Sequence, residues 1–389
     1  MPSVSCKSSS THRIESGAGR AAGLYFLAGH AAGGRFLVGM ALSRLVKKLK
    51  AGEDLSAAEA EGAARALASA EAPSADKKAF LAALSEKGET VEEVAAFAKT
   101  FRALARDPRL DAWKERGVDM VGTGGSGFGG FNVTSVASLI VAAHGVPVLK
   151  HGNRAITSKS GSADFFGALG IPMLTEPTEL RRSVESLGFC FFFAPGFHPA
   201  FKEIMPVRKE LAGEGHRTVF NILGPLINPA QPARQLLGVF HPRWVRPLAD
   251  VLEAVGVKTG MAVCSELPGG QCIDELTTAG ENHIAGLGTL RGMKHDWSLS
   301  ALGLGQCAPE ELHGGDAESN VARLRELITG KAPRGLEDTV CLNAAAGLLI
   351  AGAVNNPQAG LKRAREILRS GELASWLARA RGFFAEPGS

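Results

Sequence analysis

The stretch from Val121 to Asp164 constrains this chain more than any other part of it. It reads VGTGGSGFGGFNVTSVASLIVAAHGVPVLKHGNRAITSKSGSAD. Glycine and hydroxyl residues are dense in it, no acidic residue lies between Asp119 and Asp164, and Lys150, His151, Arg154 and Lys159 all fall inside it. Backbone N–H groups that a ligand can approach, combined with cations and no competing acid, predict a site that holds an anion.

Composition sets wide bounds on the rest of the molecule. A length of 389 residues predicts two or three domains, or one large domain with a small appendage. The chain is 45% hydrophobic and 21% charged, which is ordinary for a globular protein with a full core. The net charge of +4 is compatible with a phosphorylated substrate and with weak nucleic-acid binding, so it excludes neither.

Cysteine spacing and hydropathy exclude two further classes. The six cysteines are scattered without a CxxC or a paired zinc spacing, which predicts reduced, mostly buried thiols in a cytosolic protein. No apolar run reaches the roughly 18 residues that a membrane helix needs, so we predict no membrane span.

Residues 1–39 differ from the rest of the chain. They are rich in Ser, Gly and Ala, carry several Arg, and contain one acid, Glu15. The composition resembles that of an organelle transit peptide. We favour a disordered or non-native extension with the true start at Met40. The expected location is therefore cytoplasmic, and a plastid location is expected only if residues 1–39 are a genuine transit peptide.

Residues 40–108 read as a small all-helical unit. Apolar residues recur at helical spacing after Ala41, and Gly52 ends that first helix. Three further helices are predicted at 57–67, from residue 74, and from residue 91 through 103. Hydroxyl caps precede or open them at Ser56, Ser74 and Thr90. Glu93 completes a capping box with Thr90.

Residues 109–389 alternate short apolar strands with helices, which predicts an α/β domain with a mostly parallel sheet. The predicted strands are 118–121, 146–149, 189–193, 235–240 and 260–264. The predicted helices are 133–143, 160–169, 245–255, 316–329, 338–354, 358–370 and 372–381. Residues 197–230 interrupt the alternation, and we expect them to pack back on the helical unit.

The glycines at 122–127 formally match G-x-G-x-x-G, but two features argue against a dinucleotide site. A dinucleotide site requires an acid about 20 residues later, but that region lies in the stretch without acids. The helix also begins only near Asn132, too late for the third glycine to open it. No GK[ST] follows, so a P-loop is also excluded. Residues 132–135 (NVTS) can cap their own helix or direct hydroxyls and N–H groups at a phosphate.

A set of ordered motifs resembles one known family. GTGG…FNVTS, KHGNR…TSKSGSAD, HPAFK, PVRKEL…RTVFNILGPLINP, IDEL, GGDAESN and LNAAAGLLIAG occur in the order found in anthranilate phosphoribosyltransferases. The match runs from about residue 42 to residue 381. Relatives of that family include pyrimidine nucleoside phosphorylases and a nucleic-acid-binding paralogue. The resemblance implies a homodimer formed by the helical unit, and an active site between that unit and a larger α/β domain of the nucleoside phosphorylase/phosphoribosyltransferase class.

The resemblance also implies a reaction and its residues. The phosphoribosyl group of 5-phosphoribosyl 1-pyrophosphate (PRPP) would pass to the amine of anthranilate, as in tryptophan biosynthesis. PRPP would be held by Gly122, Gly125, Ser126, Asn132, Val133, Thr134, Ser135, Lys150, His151, Gly152, Asn153, Arg154, Ser158 and Ser162. Anthranilate would lie along Gly122, His151, Asn153 and Arg208, with Arg208 pairing with the carboxylate. Mg²⁺ would lie at Thr134, Asp274 and Glu275. No acid or base is implied, and His151, Asn153 and Arg208 position the reactants.

The sequence departs from the family pattern at three places. Ser126 stands where the family has Asp, and Gly130 stands where it has Thr. Extra residues occur at 212–215, beside the implied acceptor path. These changes bear on efficiency and acceptor identity more than on fold. Two alternatives therefore stay open: a nucleic-acid-binding paralogue, which the intact KHGNR, Arg208 and Asp274-Glu275 disfavour, and a phosphorylase or transferase with another acceptor.

Overall fold

The structure is a computed structural model that describes residues 33–154, 159–293 and 295–385, with side chains from Leu42 onward. Ser158, predicted to bind PRPP, lies outside the described residues, and so do residues 1–32. No helix in the described ranges is both long and apolar enough to cross a membrane. The described cysteines are free thiols, and four of them are buried, as predicted: Cys190, Cys264, Cys272 and Cys341.

From Gly33 onward, four helices form the N-terminal unit. They are α1 (Gly33–Lys50), α2 (Ala57–Ala68), α3 (Ser74–Lys87) and α4 (Val91–Ala103). The predicted boundary at Met40 therefore falls inside α1.

Capping explains where these helices start. The Thr90–Glu93 capping box is confirmed, and Ser56 forms a second box with Glu59 that was not predicted. The predicted Ser74 cap is wrong, because Ser74 is the first residue of α3 and comes after Pro73, which makes no side-chain cap.

The helical unit shares its core with a segment from the larger domain. Phe80 and Phe97 are fully buried in a cluster that also contains Ile204 and Leu211. The ring centroid of Phe101 lies 5.2 Å from that of Phe201 and 5.5 Å from that of Phe220. Burial of such large side chains is the main source of stability in a core of this kind. The segment around residues 201–220 is thus fixed against α3 and α4.

In its described residues, the larger domain contains seven strands. They are β1 (Val118–Gly122), β2 (Val148–Gly152), β3 (Phe189–Phe193), β4 (Arg234–Gly238), β5 (Thr259–Glu266), β6 (Cys272–Ile273) and β7 (Glu281–Gly288). The order is β3-β2-β1-β4-β5-β6, and β7 also pairs with β5. Strands β1 to β5 are parallel to their neighbours in the sheet, whereas β6 and β7 run antiparallel to β5. The predicted mostly parallel sheet is confirmed, and the two antiparallel strands are an addition to it.

Helices pack around this sheet. In chain order they are α5 (Asp111–Lys114), α6 (Val133–Ala143), α7 (Ser162–Ala168), α8 (Pro177–Leu187), α9 (Ala194–Phe197), α10 (Met205–Gly213), α11 (Phe220–Leu223), α12 (Val245–Ala254), α13 (Ala317–Ile328), α14 (Arg334–Ile350), α15 (Pro357–Arg369) and α16 (Glu372–Ala385). Short 3₁₀ turns lie at Pro199–Glu203, Gly224–Leu226, Pro242–Trp244 and Pro309–Leu312. Helices α6 and α14 pack together, and almost every residue of α14 is buried.

Register brings the ends of four strands together. Gly122 of β1 pairs with Gly238 of β4, and Gly152 of β2 pairs with Phe193 of β3. Ligands of open parallel sheets bind beyond the carboxyl ends of the strands. The loops that carry the predicted site residues therefore leave the sheet at the carboxyl ends of its strands.

Candidate active site

Two paired glycines, Gly122 and Gly238, leave room for Asp274 at the end of the sheet. A Cβ at Gly238 would overlap the backbone carbonyl of Asp274, and a Cβ at Gly122 would overlap its carboxylate. The Gly124 N–H donates to Asp274 Oδ2 at 2.8 Å. Asp274 is thus held against the start of the glycine loop, which we define as residues 122–131. Sequence reasoning missed Gly238, which lies inside the predicted strand 235–240 and ends β4 in the structure.

We expect Gly238→Ala to displace the Asp274 segment. The added methyl must push backbone rather than a flexible side chain, so the free energy of unfolding should fall by about 1–3 kcal/mol. Chemical denaturation measures this loss. Gly167→Ala is the matched control, because a Cβ there meets nothing within 4 Å in the described structure. Equal stability of the two variants would contradict the close approach.

Glu275 lies at the N-terminus of α6. Its Oε1 accepts the Thr134 N–H at 2.8 Å and the Thr134 hydroxyl at 2.9 Å. Removal from water, together with the smaller effect of the neighbouring Asp274 carboxylate, raises the pKa of Glu275 to about 8. A divalent cation beside the two carboxylates would offset the repulsion between them. The donor set therefore fits Mg²⁺, which takes oxygen ligands.

The side chain of Asn132 does not cap α6. Its Oδ1 instead accepts from Asn320 Nδ2 at 2.7 Å and from Ser160 Oγ at 3.2 Å. These contacts tie the loop before α6 to α13 and to the segment that precedes α7. Val133 and Ser135 are buried in the first turn of α6. Asn132 therefore does not cap its own helix. The Thr134 N–H and hydroxyl both donate to the Glu275 carboxylate.

Two charged residues, Lys150 on β2 and Asp119 on β1, are buried within the sheet next to these loops. The Lys150 side chain is only 3% exposed, and its Nζ donates to the Met120 carbonyl. Burial lowers the pKa of Lys150 to about 8, against the opposing effect of the nearby Asp119. Burial raises the pKa of Asp119 to about 6, and Asn228 Nδ2 donates to its Oδ2 at 2.9 Å. Asp119 and Asn228 were not predicted, because nothing in their sequence neighbourhood marks them as partners of Lys150.

His151 packs against a second histidine. Its Nε2 lies 3.2 Å from the Nε2 of His198, and both side chains are buried. Burial lowers the pKa of His198 to about 4, and it lowers that of His151 well below its usual value. Both rings are therefore uncharged at neutral pH, with one donating to the other. His198 was missed as a site residue, although the HPAFK motif already contained it.

We expect His198→Gln to flatten the acid limb of the stability profile. The unfolded chain binds a proton near pH 6.5, whereas folded His198 binds one only near pH 4, so stability is lost as pH falls through this window. Between pH 7 and pH 5 the variant should lose up to about 2 kcal/mol less than the wild type. Urea unfolding at the two pH values measures the difference. Replacing exposed His216 by Gln is the control, and an equal change in both variants would refute the assignment.

The remaining predicted donor-side residues surround the loop after β2. A Cβ at Gly152 would lie 2.8 Å from the Phe191 ring and would overlap Ser162 Oγ, which itself donates to the Asn153 carbonyl at 3.4 Å. Asn153 and Arg154 are exposed, as is Gly125, and Ser126 is half-buried. The structure thus brings Gly152, Asn153 and Ser162 together at the end of β2.

Arg208 lies apart from the glycine loop, on α10. Its guanidinium is 5.3 Å from the centroid of the Phe220 ring, and Nη2 lies 3.5 Å from the Phe220 carbonyl. Burial lowers its pKa. No ion pair joins Arg208 to an acid in the described part of the chain. Ring contacts from His198 through Phe201 to Phe220, at 5.7 and 5.5 Å, connect this side to His151.

Comparison with known proteins places this geometry in a family. Residues 43–105 match the helical bundle domain of the glycosyl transferase family, and residues 114–374 match its a/b domain. The anthranilate phosphoribosyltransferase of Rhodopseudomonas palustris is 41% identical over 335 residues, covering 86% of this chain and 95% of the relative. That of Rhodospirillum rubrum is 40% identical over 348 residues, covering 89% and 96%. The chain belongs to the anthranilate phosphoribosyltransferase family.

Solved structures agree with this assignment. The anthranilate phosphoribosyltransferase of Thermus thermophilus aligns with a TM-score of 0.79 at 41% identity, covering 88% of this chain and 99% of that one. The Saccharomyces cerevisiae enzyme, solved in complex with PRPP and Mg, aligns with a TM-score of 0.76 over 89% and 98%. Its identity of 24% shows the shared fold alone. The predicted family and fold class are confirmed.

Two of the three departures from the anthranilate phosphoribosyltransferase pattern, Ser126 and Gly130, fall within the glycine loop. Gly130 forms a β-bridge with His313, and a Cβ at Gly130 would lie 3.0 Å from the Phe128 ring. Phe128 in turn packs on His313 with ring centroids 4.8 Å apart. A threonine at residue 130 would therefore press on Phe128. The drift to glycine fits this packing, whereas nothing in the structure explains Ser126.

Proposed function

We propose that this chain acts as an anthranilate phosphoribosyltransferase through the site at the carboxyl edge of its sheet. It transfers the phosphoribosyl group of PRPP to the amine of anthranilate, giving N-(5-phosphoribosyl)anthranilate and pyrophosphate. Relatives about 40% identical over most of the chain carry this activity in their names. The observation in the structure that supports it most is the Asp274–Glu275 pair held against the glycine loop and the start of α6.

PRPP, the phosphoribosyl donor, would lie between the glycine loop and the loop after β2. This lobe has glycines at the strand ends, the positive end of the α6 helix dipole, and the cation Lys150. Each favours the negative charge of a pyrophosphate. Exposed Asn153 and Arg154 add donors at its rim. Negative charge grows on the pyrophosphate as its bond to the ribose breaks. These preorganised hydrogen-bond donors and positive groups therefore stabilise the transition state more than the ground state.

Mg²⁺ is the metal that the two carboxylates fit. Within the described residues, no third His, Cys, Asp or Glu completes a cluster with Asp274 and Glu275. Magnesium often uses one or two carboxylates and takes its other ligands from substrate phosphates and water. Bound there, it would neutralise charge on the pyrophosphate. Of the Saccharomyces structures, one contains PRPP and Mg, which supports the proposal by relationship.

The acceptor would enter from the α10 side. Arg208 carries a guanidinium with no acidic partner in the described structure, and a carboxylate is the bidentate ligand that this group prefers. A Saccharomyces relative was solved with 4-fluoroanthranilate, an acceptor analogue. His151 and His198 are uncharged, so they do not repel the positive charge that develops on the ribose. The aromatic amine is already a nucleophile, so its placement matters more than a strong base.

A transfer assay tests this function. The chain is incubated with PRPP, Mg²⁺ and anthranilate, and anthranilate fluorescence is followed while pyrophosphate is measured in parallel. We expect both substrates to be consumed with equal amounts of pyrophosphate formed. Release of pyrophosphate without loss of anthranilate would show that the phosphoribosyl group passes to water, and would contradict anthranilate as the acceptor. Absence of turnover together with salt-sensitive DNA binding would favour the nucleic-acid-binding paralogue.

We also propose a homodimer formed by the helical unit and a cytoplasmic location. Light scattering on the purified chain gives the mass directly. A mass of one chain at micromolar concentration would refute the dimer.

A further inference from the structure

The glycine loop has its backbone hydrogen bonds near its ends, and inside it the Phe128 ring packs on His313. At one end the Gly124 N–H donates to Asp274, and at the other the Gly314 N–H donates to the Gly129 carbonyl at 3.0 Å. Between them the backbone takes positive φ angles that favour glycine, at Gly124, Gly125, Gly127 and Gly129. Glycine there leaves the chain with wide conformational freedom. A contact to the middle of the loop therefore has a large effect on its shape.

Arg217 makes that contact. Its Nη2 donates to the Gly125 carbonyl at 3.3 Å, which is the one hydrogen bond that residues 125–128 receive from elsewhere in the described structure. Its guanidinium carbon lies 4.3 Å from the centroid of the Phe240 ring, just beyond β4. A planar guanidinium can stack by its face and donate from its edge at once, which a lysine ammonium cannot do.

The backbone of Arg217 is tied to the helical unit. Its carbonyl accepts the Ser85 hydroxyl of α3 at 2.7 Å. Just before it, Glu210 and Glu214 both pair with Lys78 of α3, at 2.6 and 2.7 Å. Glu214 belongs to the extra residues 212–215, so this insertion docks the end of α10 onto α3. Arg208, the proposed acceptor residue, lies earlier on the same helix.

We propose that Arg217 is a positioning residue for the donor, and that it links the acceptor side of the site to the glycine loop. This inference rests on the proposed function, in which the loop holds PRPP. With the Gly125 carbonyl turned toward Arg217, that oxygen is kept away from the pyrophosphate, whose negative charge it would repel. The segment 205–217 then carries Arg208 near one end and the restraint on the donor loop at the other.

Steady-state kinetics test the role. We expect Arg217→Ala to raise the KM for PRPP about tenfold while the KM for anthranilate changes less than about twofold. Arg217→Lys should recover only part of the loss, and Phe240→Leu should raise the PRPP KM in the same direction. Arg243→Ala is the control, because Arg243 also stacks on an aromatic ring, that of Trp244, but does not touch the loop. Full rescue by lysine, or equal rises in both KM values, would overturn the proposal.

Limited proteolysis tests the same role without any activity. Phe128 and Phe131 are buried chymotrypsin sites within the loop. In the free protein, Arg217→Ala and Phe240→Leu should be cleaved after these residues several-fold faster than wild type, with Arg243→Ala unchanged. Unchanged cleavage in both variants would overturn the inference. Faster cleavage in a chain that shows no transfer would instead locate the failure in the proposed function.

Discussion

Glu275→Gln is expected to lower kcat/KM for PRPP on the order of 100-fold and to raise the Mg²⁺ concentration needed for half-maximal rate. The substitution keeps the acceptor oxygen for Thr134 but removes the charge that would hold a cation beside Asp274. Rates measured across a Mg²⁺ titration at fixed PRPP separate the two effects.

Glu266→Gln is the matched control for this experiment. Glu266 ends β5, nine residues before Glu275, and its carboxylate lies 3.4 Å from His283 instead of facing the glycine loop. We expect its Mg²⁺ dependence to equal that of wild type. If Glu275→Gln has an unchanged Mg²⁺ requirement and a rate within about threefold of wild type, the metal assignment is wrong.

Arg208→Ala is expected to raise the KM for anthranilate by about 10- to 100-fold and to leave the KM for PRPP within about twofold. A hydrogen bond to a charged group contributes about 1.5–3 kcal/mol, which corresponds to this range. Its guanidinium already has the Phe220 ring and carbonyl as supports, so the side chain is oriented before a carboxylate arrives.

Two comparisons sharpen the Arg208 experiment. Lys209→Ala removes an exposed cation from the next position of α10 and should change neither KM. Aniline lacks the carboxylate, so wild type should strongly prefer anthranilate to aniline whereas Arg208→Ala should have lost most of that preference. Equal effects of Arg208→Ala on both substrates' KM values would contradict its role at the acceptor.

Local patterns predicted the parallel core of the fold well. Helix α6 begins at Val133 and ends at Ala143, as expected for an apolar run bounded by Asn132 and Gly145, and β3 spans the predicted 189–193. The antiparallel β6 and β7 were not predicted. Strand β6 has only two residues, and β7 lacks a clean alternation, so neither carries the periodicity on which such predictions rest.

The donor side of the site was predictable in part. The acid-free window identified the glycine loop and the loop after β2, because their chemistry is written locally in glycines and cations. The position of Asp274 was not, since its contact with Gly124 joins residues 150 apart in the chain. Adjacent acids are usually solvated, and here only the family resemblance selected them.

Buried polar partners were beyond sequence reasoning. Asp119 is wholly buried beside Lys150, and His198 lies against His151, yet each is one polar residue in an apolar neighbourhood. Their roles depend on strand order and on packing of the segment after β3. Burial is the largest cause of the pKa shifts at Lys150, Asp119, His151 and His198, and the partners modify these shifts.

The donor lobe and its acidic pair are the central claim, and one measurement tests them most directly. Crystals of the chain grown with PRPP and Mn²⁺ in place of Mg²⁺ would give an anomalous difference map. We predict a manganese peak beside the carboxylates of Asp274 and Glu275, with the pyrophosphate between the glycine loop and the N-terminus of α6. A peak away from both carboxylates, or PRPP bound outside the lobe formed by residues 122–135, 150–154 and 159–162, would contradict the account.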